Sequence, residues 1–163
     1  MIQERLIGYI EQSIWQNWDI EALSNYREKG YTYKEIAQKI LKLHLLFKES
    51  GIKEGDKIAL IEKNSANWCV TYLTAVTYGA VIVPILPDFK PDDLTNLINH
   101  SDSRLLFVDD KIYETVDITK MQEIIGVLSL DDFRMVVSGN SNIKEIFSSL
   151  EEKYSKSYPD LKQ

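Results

Sequence analysis

Three short apolar runs, Lys57-Ile58-Ala59-Leu60-Ile61, Val81-Ile82-Val83-Pro84-Ile85 and Arg104-Leu105-Leu106-Phe107-Val108-Asp109, alternate with stretches of helical periodicity, joined by connections of only a few residues. This alternation constrains the fold more than any other feature. Strands that follow one another through a helix lie parallel, with right-handed crossovers and helices stacked on the sheet. Runs rich in β-branched and aliphatic residues suit strands buried on both faces. The expected fold class is α/β, a mostly parallel sheet with helices on both faces.

The intervening helices carry their own start and stop signals. Thr32 and Glu35 stand at the spacing of a capping box, and Tyr33, Ile36, Ile40, Leu43 and Phe47 recur in steps of three and four, so a helix is predicted over 33–50, closed by Gly51. A second helix starts at the Asn64 or Ser65 cap and runs to Tyr78, with Gly79 as its C-cap. A third opens at Pro91, with Asp92 and Asp93 at the positive end of its dipole and Leu94, Leu97 and Ile98 on its buried edge. Residues 64–87 carry no charge, and 68–86 are about as long as a membrane span. Gly79, Pro84 and Pro87 would break such a span, and no transmembrane segment is expected.

Beyond Asp110 the pattern thins. Residues 127–130 and 133–137 read as strands, 142–154 as one polar helix, and 155–163 as a tail without apolar periodicity. Ahead of Thr32, a short helix over 2–15 offers Leu6, Ile7, Ile10 and Ile14 for packing onto the main body. Trp15 and Trp18, which flank this helix end and Asn17, are expected to dock on the protein's own core.

With 19 basic against 25 acidic residues, the 163-residue chain has a formal charge of −6 and no spare basic face for a phosphate backbone, which argues against a nucleic-acid partner. Cys69 is the single cysteine, so an internal disulfide and a thiolate zinc site are excluded. A reducing compartment, the cytoplasm, is the natural setting. The opening residues show no secretory signal, so Asn99-His100-Ser101 reads as a chance sequon.

Candidates for chemistry are few. The glycines at 8, 30, 51, 55, 79, 126 and 139 form neither a dinucleotide turn nor a Walker loop. His44 shares the Ile40 and Phe47 face of its helix, and His100 sits at a helix end; neither has a ligand partner at metal spacing. Cys69 lies on a crowded apolar helix with no basic neighbour, which suits packing rather than nucleophilic attack. Asp92-Asp93, Asp109-Asp110, Asp131-Asp132 and Glu151-Glu152 read as caps and turns, because sequence neighbours point in different directions.

The order of particular words is more informative. Tyr31-Thr32-Tyr33-Lys34-Glu35, the run from Gly51-Ile52-Lys53-Glu54-Gly55-Asp56 through Leu60, Asn64-Ser65 with Trp68, and Tyr78-Gly79-Ala80-Val81 with Val83-Pro84 together resemble the opening of the adenylate-forming ligases. Asn17-Trp18-Asp19, Ala22-Leu23-Ser24 and the run from Gly126 to Phe133 are similar to bacterial long-chain fatty-acid–CoA ligases. The resemblance implies that the sheet is the first part of the large amino-terminal domain of such an enzyme. Residues 1–30 would be a helical extension packed on it, 31–154 a partial AMP-binding domain and 155–163 a tail.

The family reaction, as the resemblance implies it, joins a carboxylate to the α-phosphate of ATP and then lets the thiol of CoA displace AMP. ATP, Mg²⁺ and CoA are thus expected for the full-length enzyme, and none of them as a cofactor of this chain. The Ser/Thr/Gly-rich loop ending in Lys-Gly has no counterpart in these residues. No catalytic, cofactor-binding or metal-binding position carries over, and the chain is expected to be inactive alone. Its expected partners are the remainder of the ligase chain and, for the full-length enzyme, fatty acid, ATP and CoA. Self-association through surface left bare by truncation is a further expectation. The alternatives are a stand-alone nucleotide- or acyl-binding α/β module, or an interaction scaffold without catalysis.

Overall fold

The computed structural model describes residues 5–139 and 141–162. In chain order the elements are α1 (Leu6–Gln16), β1 (Glu21–Leu23), β2 (Tyr31–Thr32), α2 (Tyr33–Glu49), β3 (Lys57–Ile61), α3 (Ala66–Tyr78), β4 (Val81–Ile85), α4 (Pro91–Ser101), β5 (Ser103–Val108), α5 (Asp110–Tyr113), β6 (Gly126–Ser129), β7 (Met135–Ser138), α6 (Ser141–Ser148) and α7 (Leu150–Ser157). Short 3₁₀ turns occupy Ile118–Lys120 and Pro159–Lys162. Five strands form one sheet in the order β4-β3-β5-β6-β7, and β1 and β2 make a small antiparallel pair beside it.

Pairing is parallel from β4 through β6, and only β7 runs antiparallel. The three apolar runs are therefore adjacent parallel strands, with Ile58 opposite Ile82 on one side and Leu105 on the other. Strand pleating sends Ile58, Leu60, Leu105, Phe107 and Leu128 into one core and Ala59, Ile61, Leu106, Val108 and Val127 into the other. Against the first core lie Ile36, Ile40, Leu43, Leu46 and Phe47 of α2, Val70 and Ala75 of α3, Ile146 of α6 and Leu150 of α7. Leu94 and Ile98 of α4 cover the second, joined by Val116 and Met121. Helices thus flank both faces, as the alternation required.

The helix signals take effect where they were read. Thr32 Oγ1 accepts from the Glu35 amide at 3.2 Å while the Glu35 carboxylate accepts from the Thr32 amide at 2.7 Å, closing the capping box of α2. Gly79 ends α3 with φ +87, where a Cβ would stand 3.1 Å from Glu54 Cγ, so both backbone and neighbour favour glycine. The uncharged stretch becomes α3 and β4, and among the described residues no helix is long and apolar enough to cross a membrane. Pro84 pairs opposite Leu60 on β4, an edge strand, where a missing donor is tolerated.

Four expectations need correction. The single helix over 142–154 is two helices, broken at Ser149, whose hydroxyl bonds back to the carbonyls of Glu145 (3.0 Å) and Ile146 (3.1 Å) in competition with the helix ladder. The strand expected over 133–137 begins at Met135, because Phe133 sits at φ +62 in the turn from β6. Its ring instead meets Phe107 edge-on at 6.3 Å. The helix end expected at 154 lies at Ser157, where α7 closes, and the 3₁₀ turn that follows is held by Gln38 Nε2 donating to the Leu161 carbonyl at 2.6 Å. Of the apolar residues on α1, Ile10 and Ile14 are half-buried, whereas Leu6 and Ile7 stay 60% and 43% exposed; residues 2–4 of that expected helix lie outside the described residues.

Candidate functional site

The chain leaves β3 through α3 toward the sheet edge and returns through α4 to β5 on the other side of β3. At such a switch point the loops beyond the carboxyl ends part, leaving a crevice suited to ligands. Here the crevice is about 570 Å³, and its lining includes Asn25, Tyr26, Glu62, Ser65, Asp88 and Asp109.

Three carboxylates converge at this end of the sheet. Glu62 directly follows β3, Asp109 directly follows β5, and Asp131 belongs to the turn after β6. Their oxygens lie within 4.8 Å of one another. Burial pushes the Glu62 carboxyl up, opposed by the Ser65 hydroxyl that donates to it at 2.5 Å and reinforced by the charges of Asp109 and Asp131. Asp131 is likewise raised, by burial first and then by Asp110. Asp110 moves the opposite way, because the guanidinium of Arg134 and the hydroxyl of Ser129 stabilise its charged form.

Each acid is held from a different quarter. Asp109 Oδ1 caps α5, accepting from the amides of Lys111 (2.9 Å) and Ile112 (3.1 Å). The Asp131 turn is tied to α3 by buried Asn67, whose Nδ2 donates to the carbonyls of Leu130 (2.6 Å) and Asp131 (3.2 Å) while its Oδ1 accepts from the Tyr31 hydroxyl at 3.1 Å. Lys39 Nζ braces the same turn from α2, lying 4.4 Å from the Tyr31 ring centre and 5.4 Å from that of Phe133. Ser65 and Asn25 together satisfy amides at the start of α3, those of Trp68 (3.0 Å) and Ala66 (2.9 Å).

Convergent carboxylate oxygens are donors suited to a hard divalent cation such as Mg²⁺, and Glu62, Asp109 and Asp131 are the residues that would hold one. They do not fit ATP or CoA. Phosphates would meet three negative groups, with Lys63 and Lys111 as the basic members of the crevice lining and no glycine-rich cradle among the chain's seven glycines.

The residues weighed from sequence take other places. His44 Nε2 lies 3.1 Å from both the Thr74 carbonyl and Thr77 Oγ1, and burial pushes its pKa down. His100 is exposed in the last turn of α4. Cys69 is half-buried on α3, and burial pushes its thiol up. Trp15 stacks on Trp18 at 5.6 Å but remains 68% exposed, so it does not dock on the core as expected. Two acidic pairs each lend one member to the cluster, which the reading of these pairs as separate caps missed. The available signal was position: Glu62 and Asp109 are both the first residue past an apolar parallel run.

Residues 10–160 match the AMP-binding enzyme family. The chain belongs to this family. Among curated members, it is 26% identical over 107 residues to 4-hydroxybutyrate–CoA ligase 2 of Metallosphaera sedula, covering 66% of this chain and 20% of that protein. It is 25% identical over 149 residues to the medium-chain fatty-acid–CoA ligase of Escherichia coli, covering 77% of this chain and 26% of the other. The chain thus spans between a fifth and about a quarter of these AMP-binding relatives. In fold it resembles a long-chain-fatty-acid-CoA ligase from Archaeoglobus fulgidus, with a TM-score of 0.70 and 20% identity over 90% of this chain and 30% of that one.

Proposed function

We propose that this chain is the amino-terminal part of an ATP-dependent, AMP-forming long-chain fatty-acid–CoA ligase and that it does not turn over substrate alone. The observation that carries the reading is the family match over residues 10–160, joined to the small share of the relatives' length that it spans. Acyl substrates are supported by the names of the relatives, which include CoA ligases for 4-hydroxybutyrate and for medium-chain fatty acids. The long-chain assignment is supported by the runs 17–19, 22–24 and 126–133. Inactivity of the chain alone is supported by its seven glycines, which form no glycine-rich cradle that could hold the phosphates of the reaction. ATP, Mg²⁺, CoA and fatty acid are therefore ligands of the whole enzyme, which works in the reducing cytoplasm.

Fatty-acid-dependent exchange of pyrophosphate into ATP tests this. The purified 163-residue chain is expected to show none, and the polypeptide extended through the rest of the ligase is expected to show exchange that favours long over short acyl chains. Exchange by the 163-residue chain overturns the inactivity, and an extended polypeptide that prefers short acids overturns the long-chain assignment.

A further inference from the structure

Helix α1 carries a wider apolar arc than the surface beneath it covers. Ile10 and Ile14 are half-buried, and no residue of the helix is fully buried. An apolar hollow runs along each flank, about 330 Å³ on the side of Ile7 and Trp15 and about 240 Å³ on the side of Tyr9. Leu6, Ile7, Tyr9 and Trp15 stay 60%, 43%, 51% and 68% exposed. Aromatic side chains carry about 150–250 Å² each, so the bare parts of Tyr9 and Trp15 amount to roughly 200–300 Å². With Leu6 and Ile7 the patch reaches about 400 Å² of apolar surface. A standard interface buries about 800 Å² per partner, a little over half of it apolar, or about 450 Å². The face of α1 is therefore close to what one side of a stable dimer needs.

The charges on α1 select the partner. Helical spacing puts Gly8 opposite the half-buried line of Ile10 and Ile14, and a Cβ there would meet nothing within 4 Å, so a second helix can approach closely. Arg5 precedes Gly8 by three positions and Glu11 follows it by three, and both are exposed. A copy of α1 laid antiparallel across Gly8 brings Arg5 of each chain level with Glu11 of the other, so opposite charges meet twice. A parallel copy would set like charges side by side. The antiparallel placement also carries Trp15 of one copy toward the Leu6 and Ile7 end of the other. Such an isologous contact uses the same patch on both chains.

We infer that α1 is a self-association surface, on which a second copy of this chain packs its own α1 antiparallel about Gly8. The contact stands or falls independently of the ligase reading. Sedimentation velocity of the 163-residue chain over a range of concentrations tests it. The sedimenting mass is expected to rise from one chain to two as concentration increases. Gly8→Arg, which meets open space in the single chain, is expected to keep the helical circular dichroism and unfolding midpoint while weakening association roughly tenfold or more. Arg5→Glu and Glu11→Arg should each weaken association, and the two together should restore it. A single-chain mass at every concentration overturns the inference, as does association that Gly8→Arg leaves unchanged. Charge variants that weaken association singly and fail to recover together overturn the antiparallel arrangement. A monomer that instead co-sediments with phosphatidylcholine vesicles, and loses this with Gly8→Arg, would assign the face to lipid and also overturn the inference.

Discussion

Glu62 and Asn67 stand close together in the fold and meet opposite physical demands. Glu62 is a half-buried carboxylate with acidic neighbours, so its folded pKa lies above the ordinary value of 4.5. A raised pKa means that the folded state holds its proton more tightly, so this group's stabilising contribution is present below pH 4.5 and is lost as pH rises through the folded value. At neutral pH the ionised group is a burden. Glu62→Gln is expected to raise the thermal midpoint at neutral pH, through a stability gain of less than about 1 kcal/mol given solvent screening. The gain should vanish in acid, as scanning calorimetry at two pH values would reveal. Asn67 is the reverse case, since its amide serves Tyr31, Leu130 and Asp131. Asn67→Ala strands these groups and is expected to cost about 1–3 kcal/mol in urea denaturation. Neither role was legible in the chain. Asn67 reads only as a polar residue early in a helix, and its partners lie up to 64 positions away.

Among the elements, the paired helices α2 and α3 show what local pattern reveals and where it stops. The capping box and the apolar stripe of α2 were readable because helix starts and helix faces are encoded within a few residues. The corrected elements depend on contacts that no local period reports. Phe133 takes a left-handed turn and packs on Phe107, and Gln38 holds Leu161 from across the fold. His44 fastens α2 to α3, and its burial sets a pH dependence. Its folded pKa is below the ordinary 6.5, so its contribution is present above pH 6.5 and is lost as pH falls through the folded value. Denaturation midpoints should therefore drop on acidification below pH 6.5, and His44→Gln should flatten that part of the profile. An unchanged slope in the variant would assign the pH dependence to other groups.

For the whole molecule, the parallel sheet was legible because three apolar runs at short intervals leave few ways to connect them. The acidic crevice was not, because it gathers residues from three loops that are neighbours only after the strand order β4-β3-β5-β6 is set. The same order leaves β4 at one margin, with the largely apolar sequence Val81-Ile82-Val83-Pro84-Ile85. Such a margin is ordinarily a template onto which another chain adds. Pro84 lacks the amide hydrogen that an incoming strand would need at mid-length, and its ring stiffens the backbone against flat stacking. Pro84 is therefore expected to hinder sheet growth on this side of the protein. Pro84→Val is expected to leave the monomer's helical circular dichroism intact while turbidity and amyloid-dye binding rise on prolonged incubation.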